Sequence, residues 1–166
     1  MSNSVYVAVP VMVLATVLQT AVLPRIPLFG LTPQLPFLIV IAWALTRGPE
    51  EGAVWAFVAG FFMDLFSTAP MGTTSLAYIT AVAVITWIQQ ALPPSHVVLP
   101  VIFTILATLI TLFVSLLFLR LFGYQTTISA VASLAPISLL HGGLILPIYW
   151  LTHLINRTVR PHPVQI

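Results

Sequence analysis

The chain has 166 residues, of which 60% are hydrophobic and only 5% are charged, and its mean hydropathy is +1.12. A soluble domain carries about 25% charged residues, so this composition excludes a free water-soluble protein. The formal net charge of +2 rests on five arginines against three acids, without a basic cluster, which excludes a nucleic-acid-binding surface. The absence of cysteine excludes disulfides, thiolate catalysis and zinc–thiolate sites.

Six apolar segments, separated by short polar or Pro/Gly-rich stretches, predict an all-α membrane protein with six transmembrane helices in a single domain, residues 1–166. The predicted helices cover residues 5–23, 31–46, 52–67, 73–88, 97–121 and 128–154. A spanning helix needs about 20 residues, a length that the first, fifth and sixth segments approach or exceed. The other three are short, so we expect them to tilt or to be shielded by neighbouring helices.

Six spans place both termini on the same side of the membrane, and we predict that this side is the cytoplasm. The inner segments then hold three arginines and the outer segments two, a small excess inside that agrees with the positive-inside rule. They are Arg47, Arg157 and Arg160 inside, and Arg25 and Arg120 outside. All four tryptophans fall toward the face of the termini, which suits the preference of indole for the interface. They are Trp43, Trp55, Trp87 and Trp150.

The turn before the third segment contains Pro49, Glu50 and Glu51. Proline suits the first position of a helix, because its missing N–H would be unpaired there in any case. The two acids then lie in the first helical turn, where the positive end of the helix dipole stabilises them. We therefore expect a helix to begin here, and we favour this electrostatic role for the acids over a metal or substrate role.

Four residues of the third segment, Gly52, Ala56, Gly60 and Asp64, recur at strict four-residue spacing, which stacks them along one helix face. Small side chains on such a face allow another backbone to approach closely, a common basis of helix packing in lipid. We therefore predict a packing surface here, formed within the protein or against a partner helix.

Asp64 ends this face, roughly 18 Å along the helix axis from Gly52. A carboxylate at the bilayer centre costs about 2.5–3.5 kcal/mol on insertion scales, and less near the interface, so it needs a compensating interaction. One interpretation is a polar anchor for a partner helix or a ligand. The other is a cap, through backbone N–H groups, for residues 67–72 or for the helix that begins near Thr73. The sequence leaves both open.

His141 is the second candidate polar site within the membrane, midway along the sixth segment and flanked by Pro136 and Pro147. It could relay protons or bind a ligand. We favour a neutral histidine that hydrogen-bonds across helices, an interaction of about 0.6 kcal/mol on average. The sequence shows no nucleophile–base pair and no metal-ligand spacing, so we predict no enzyme activity, no metal site and no cofactor.

Residues 33–78 carry an ordered set of short motifs. They are Pro33-Gln34-Leu35, the stretch WALTRG at residues 43–48, Gly52, Gly60 and Asp64-Leu65, the loop Pro70-Met71-Gly72, and Tyr78. A small-residue helix of the form G-x7-G-x3-D-L, followed by a loop that ends in P-x-G, resembles the signature of the MreD family of rod shape-determining membrane proteins. The size and the six-helix layout of the whole chain are similar too.

The resemblance implies a non-enzymatic scaffold of the bacterial inner membrane that helps to control rod shape and peptidoglycan synthesis. It implies direct binding to MreC, a bitopic protein with a periplasmic domain. It also implies membership of the elongation complex, with the MreB filament, the RodA glycosyltransferase and a class B penicillin-binding protein. Membrane lipid is the remaining expected partner, and the sequence leaves a homo-oligomer open.

The family's fold is similar to the substrate-binding subunits of energy-coupling-factor transporters, which supplies an alternative function. The chain would then be a small-molecule (vitamin-type) binding subunit of a membrane transporter. Such subunits typically carry an Ala-x-x-x-Ala face on the first helix. Here Ala8 is followed four residues later by Met12, and Ala15 by Gln19, so that face is absent and the alternative is weaker.

Overall fold

The computed structural model describes residues 4–91, 98–125 and 127–159, and within those ranges the chain is helical apart from its connections. The helices are α1 (Ser4–Ala21), α2 (Leu35–Arg47), α3 (Pro49–Leu65), α4 (Thr73–Gln90), α5 (Val98–Leu121), α6 (Ile128–Ala132) and α7 (Ile137–Val159), with a 3₁₀ turn at Leu23–Arg25. Val97, with which the fifth predicted segment begins, and Arg160 lie outside the described residues. The single domain of residues 1–166 stays a prediction.

Helix α2 lies at the centre of the bundle. Nine of its 13 residues are buried, and it contacts α1, α3, α4, α5 and α7. Those five helices form an arc around it, since α1 packs on α3, α3 on α4, α4 on α5, and α5 on α7. Across the described ranges α1 and α7 make no contact with each other, so the arc is open at that point.

A single glycine separates α2 from α3. Gly48 has a positive φ of 92°, and it is the last capping residue of α2 and the first of α3. Only glycine adopts this conformation without steric cost, which allows the chain to reverse direction within one residue. As predicted, Pro49 begins α3, and Glu50 and Glu51 lie in its first turn.

Within the part of the chain that the structure describes, three helical stretches are long and apolar enough to cross a membrane. They are Tyr6–Arg25, Val98–Leu121 and Ile137–Ile155. Helix α2 is apolar but measures only about 20 Å, at 1.5 Å per residue, against a hydrocarbon core of about 30 Å. It therefore depends on the surrounding arc to bury its ends. The number of six spans stays a prediction.

The sixth predicted segment consists of two helices in the structure. Helix α6 ends at Ala132 and α7 begins at Ile137, directly after Pro136. Proline disfavours the helical conformation of the residue before it, which accounts for the break at this point. Pro147, by contrast, is accommodated inside α7.

Two of the four tryptophans lie inside the bundle. The rings of Trp43 and Trp55 stack with their centroids 4.2 Å apart, and both side chains are buried. The Trp43 indole N–H donates to a carboxylate oxygen of Glu51 at 3.1 Å, which removes its need for interfacial water. Trp87 and Trp150 are exposed. The stacked pair joins α2 to α3. The common position of the four tryptophans at one interface stays a prediction.

The small-residue face of α3 allows two close approaches between helices. A Cβ atom added to Gly60 would lie 2.3 Å from Cα of Ser75, and one added to Gly52 would lie 2.6 Å from Cβ of Ala44. Ala56 lies between the two glycines and is fully buried. The face therefore packs against α4 and α2 of the same chain.

We predict that Gly60→Ala destabilises the protein by about 1–3 kcal/mol, because the added methyl group meets backbone atoms that cannot rotate away. Gly143→Ala is the matched control, since a Cβ added there has no atom within 4 Å. The control gains helix propensity of roughly 0.5–1 kcal/mol. Thermal melting of the two variants in detergent tests this, and equal melting temperatures would contradict the close approach of α3 and α4.

Candidate functional site

The carboxylate of Asp64 caps the start of α4. One oxygen, Oδ2, accepts a hydrogen bond from the backbone N–H of Gly72 at 2.8 Å, and Oδ1 accepts one from Thr74 at 3.0 Å. The N–H of Ser75 also points at Oδ2, at 3.4 Å. Asp64 is 3% exposed, so these donors replace the water that the charge would otherwise need. The positive end of the α4 dipole stabilises the carboxylate further.

The loop between α3 and α4 is shaped to present these N–H groups. The carbonyl of Pro70 accepts hydrogen bonds from the Thr73 hydroxyl at 2.8 Å and from the Thr73 N–H at 3.2 Å. Gly72 has a positive φ of 94°, which turns its N–H toward Asp64. A non-glycine residue pays about 1–2 kcal/mol in this conformation. The structure thus brings Asp64, Pro70 and Gly72 into one cap, defined here as the α4 cap.

His141 connects α7 to α2 and α5. Its Nε2 accepts a hydrogen bond from the backbone N–H of Gln34 at 3.0 Å, and its Nδ1 lies 3.1 Å from the hydroxyl oxygen of Thr108. The ring centroid is 5.5 Å from that of Phe37. The side chain is almost fully buried, and both ring nitrogens have a partner.

The partners of His141 fix which ring nitrogen carries the proton. The Thr108 hydroxyl donates its single hydrogen to the carbonyl of Thr104 at 2.7 Å, so it accepts from Nδ1–H of the ring. Nε2 faces a backbone N–H and must therefore be unprotonated. This is the arrangement of a neutral histidine that hydrogen-bonds across helices. Its partners are a hydroxyl and a backbone amide, and no carboxylate or second imidazole is among its hydrogen-bond partners in the described residues.

Two glutamines complete the start of α2. Gln19 of α1 accepts a hydrogen bond from the N–H of Leu35 at 2.7 Å, and Gln34 accepts one from the Tyr78 hydroxyl at 3.0 Å. Gln19 and His141 thus satisfy the backbone N–H groups of Leu35 and Gln34, the first donors of α2, while the Gln34 amide ties α2 to Tyr78 of α4. We define Gln19, Gln34, Tyr78 and His141 as the α2 cap.

Sequence reasoning did not single out Gln19 as a functional residue. The signal was nevertheless present, since an uncharged amide within an apolar segment needs a partner in lipid. The sequence did not reveal the position of α2. Its start is half-buried among other helices, so its N–H groups need acceptors from other segments.

The two caps supply hydrogen bonds and no reactive centre. Over the described ranges no three His, Asp or Glu side chains come close enough to hold a metal ion. The α4 cap joins α3 to α4, and the α2 cap joins α2 to α1, α4, α5 and α7. The arrangement therefore fixes the positions of helices and exposes an outer surface to the membrane.

A family model described as rod shape-determining protein MreD matches residues 2–158 of the chain. This match extends the resemblance from residues 33–78 to nearly the whole length and confirms it. No curated protein and no solved structure matches the chain.

We predict that Asp64→Asn lowers stability by about 2 kcal/mol, because charge-assisted hydrogen bonds are lost and an amide N–H group faces backbone donors. Glu50→Gln is the control, since it removes an exposed acid from a helix start and costs about 0.3–1 kcal/mol. Melting of both variants in detergent measures the difference. Similar losses in the two variants would show that Asp64 contributes no special cap.

We predict that His141→Leu destabilises the protein by about 1–3 kcal/mol, because the Gln34 N–H loses its acceptor in a buried site. His141→Gln places an amide oxygen near the former position of Nε2 and is expected to recover much of that loss. Thermal melting of the pair is the measurement. A glutamine variant no more stable than the leucine variant would contradict the hydrogen bond to Gln34.

Proposed function

This chain belongs to the MreD family of rod shape-determining proteins, and on that premise we propose that it is a non-enzymatic scaffold that binds MreC in the bacterial inner membrane. Family membership implies a role in the determination of rod shape. The family match across residues 2–158 is the observation that carries the proposal. The described geometry supports it, since the buried polar residues hold helices together.

We propose further that the chain acts within the elongation complex, with the MreB filament, the RodA glycosyltransferase and a class B penicillin-binding protein. In this complex it would help to position peptidoglycan synthesis. We also propose that the fold is similar to that of the substrate-binding subunits of energy-coupling-factor transporters, because the number of helices and the chain length agree.

The small-residue face of α3 is not available for contact with MreC. Gly60 and Ala56 are covered by helices of the same chain, so no partner helix can reach them in the folded state. The outer faces of α1 and α5 are far more open, with Leu14 62% exposed and Phe113 65% exposed. A transmembrane helix of MreC would pack on such a lipid-facing surface through van der Waals contacts.

Photocrosslinking in cells tests the proposal. A photoreactive amino acid is placed at Leu14, Phe57, Phe113 or Trp150, one exposed position on each of four helices. The host is a rod-shaped bacterium depleted of its own MreD that produces the cognate MreC. We expect rod shape to be restored and crosslinks to MreC to cluster on one helix or on neighbouring helices of the arc.

The control is an MreC variant whose transmembrane segment is replaced by that of an unrelated single-span protein. Crosslinks that persist in this control, or that are missing at all four positions, contradict direct helix docking. Round cells that contain the membrane-inserted chain contradict the shape-determining role itself. Crosslinking therefore tests binding to MreC, and cell shape separately tests the shape-determining role.

We also propose that the chain passes through the membrane six times, with α1–α5 and α7, of which α2 is a short pass shielded by the surrounding helices, and that both termini lie in the cytoplasm. The chain contains no cysteine, so single-cysteine variants can be labelled without background. With a membrane-impermeant maleimide on intact cells, we predict labelling of Ser67→Cys and Gln125→Cys, and protection of Glu50→Cys and Gln90→Cys. All four side chains are exposed in the structure. Labelling of either protected position before lysis contradicts the layout.

A further inference from the structure

A polar cavity and an apolar groove lie side by side near the start of α2. The cavity has a volume of about 360 Å³, and its polar lining consists of Thr32, Gln34, Thr108, Thr111 and His141. The groove has a volume of about 530 Å³ and runs along α7 past Leu140 and Gly143. Leu31 lines both spaces, so a single molecule could occupy them together.

The cavity contains polar groups that the protein does not satisfy. Thr111 is 8% exposed, and its hydroxyl has no hydrogen-bond partner among the described residues. Gln34 uses its amide oxygen to accept from Tyr78, which leaves its amide N–H groups free to donate. The Thr111 hydroxyl is therefore the buried unpaired group of the cavity, and the half-buried Gln34 amide adds a donor beside it. Buried polar groups without a partner are rare in folded proteins, and they indicate a missing hydrogen-bonding partner.

The charge of the site indicates what kind of acceptor fits. No charged side chain lines the cavity or the groove. The α2 helix begins at the cavity, and although His141 and Gln19 already accept from its first N–H groups, the positive end of its dipole still disfavours a cationic group. The volume of the cavity lies within the range of ligand pockets, about 300–1,000 Å³. A group such as a glycerol phosphate therefore suits it in size and chemistry.

We propose that these two spaces form one binding site for a single membrane lipid. Its hydroxyl-rich head group, uncharged or anionic, lies in the cavity and hydrogen-bonds to Thr111 and Gln34. One apolar chain lies in the groove against Leu140 and Gly143. This inference is independent of MreC binding, and its test needs neither MreC nor living cells.

Native mass spectrometry of the full-length, delipidated protein in a polyoxyethylene detergent tests the site. The probe is palmitoyl-oleoyl phosphatidylglycerol, and the comparison lipid is the phosphatidylcholine with the same chains. We expect saturation at one phosphatidylglycerol per chain and at least about tenfold weaker binding of the choline lipid, whose head group is cationic at its tip. Glycerophosphoglycerol, which lacks the chains, is expected not to bind at the same concentrations.

Two variants report on the two halves of the site. Thr111→Val keeps the side-chain shape, removes one hydrogen bond, and is expected to weaken binding about threefold to tenfold. Gly143→Leu fills the groove and is expected to abolish binding, and a side chain fits there because a Cβ has no atom within 4 Å. Thr80→Val and Ala83→Leu, on α4, are the matched controls and are expected to bind like the parent protein.

Several outcomes would overturn the proposal. They are binding without saturation at one lipid, equal binding of the choline lipid, and equal binding by all variants. Equal binding of glycerophosphoglycerol would show that the cavity takes a free organic phosphate, which overturns the lipid assignment. If Gly143→Leu melts at a lower temperature than the parent protein, its loss of binding is set aside, and the lipid affinity of Thr111→Val alone tests the site.

Discussion

The start of a helix inside a membrane protein leaves backbone N–H groups that water cannot reach, and this constraint organises the molecule. Each such group costs free energy unless the protein supplies an acceptor. Asp64 supplies it for α4, and Gln19 with His141 supplies it for α2. Three buried polar side chains, Gln19, Asp64 and His141, thus act on the starts of helices other than their own. Helix positions follow from these bonds and from the glycines that let α3 approach its neighbours.

The motif G-x7-G-x3-D-L of α3 has a structural explanation in this fold. The glycines of G-x7-G-x3-D-L bring α3 against α2 and α4, and the aspartate then meets the N–H groups of the P-x-G loop. None of these residues needs an external partner to account for its chemistry. The proposed contact with MreC therefore falls on the outward-facing apolar side chains and not on this motif.

Local patterns predicted the parts of the fold that depend on local chemistry. The start of α3 at Pro49 and of α4 at Thr73 follow from proline, glycine and acidic residues within a few positions. The interior position of α2, the stack of Trp43 on Trp55 and the partners of His141 depend on contacts between distant segments. Residue periodicity contains no information on such pairings. For Asp64, two interpretations were open from local patterns, and the described contacts are those of the cap.

The hydrogen bond from Gln34 to His141 joins residues that are 107 positions apart. At about 5–20 residues per second, the ribosome needs roughly 5–20 seconds to synthesise the intervening chain. The bond from Leu35 to Gln19 spans 16 positions and can form much earlier. During translation α2 is therefore held first to α1 and is completed only when the last helix arrives. Because α7 is synthesised last, a chain truncated before it would lack the His141 acceptor for the Gln34 N–H and would leave uncovered the side of α2 that α7 contacts.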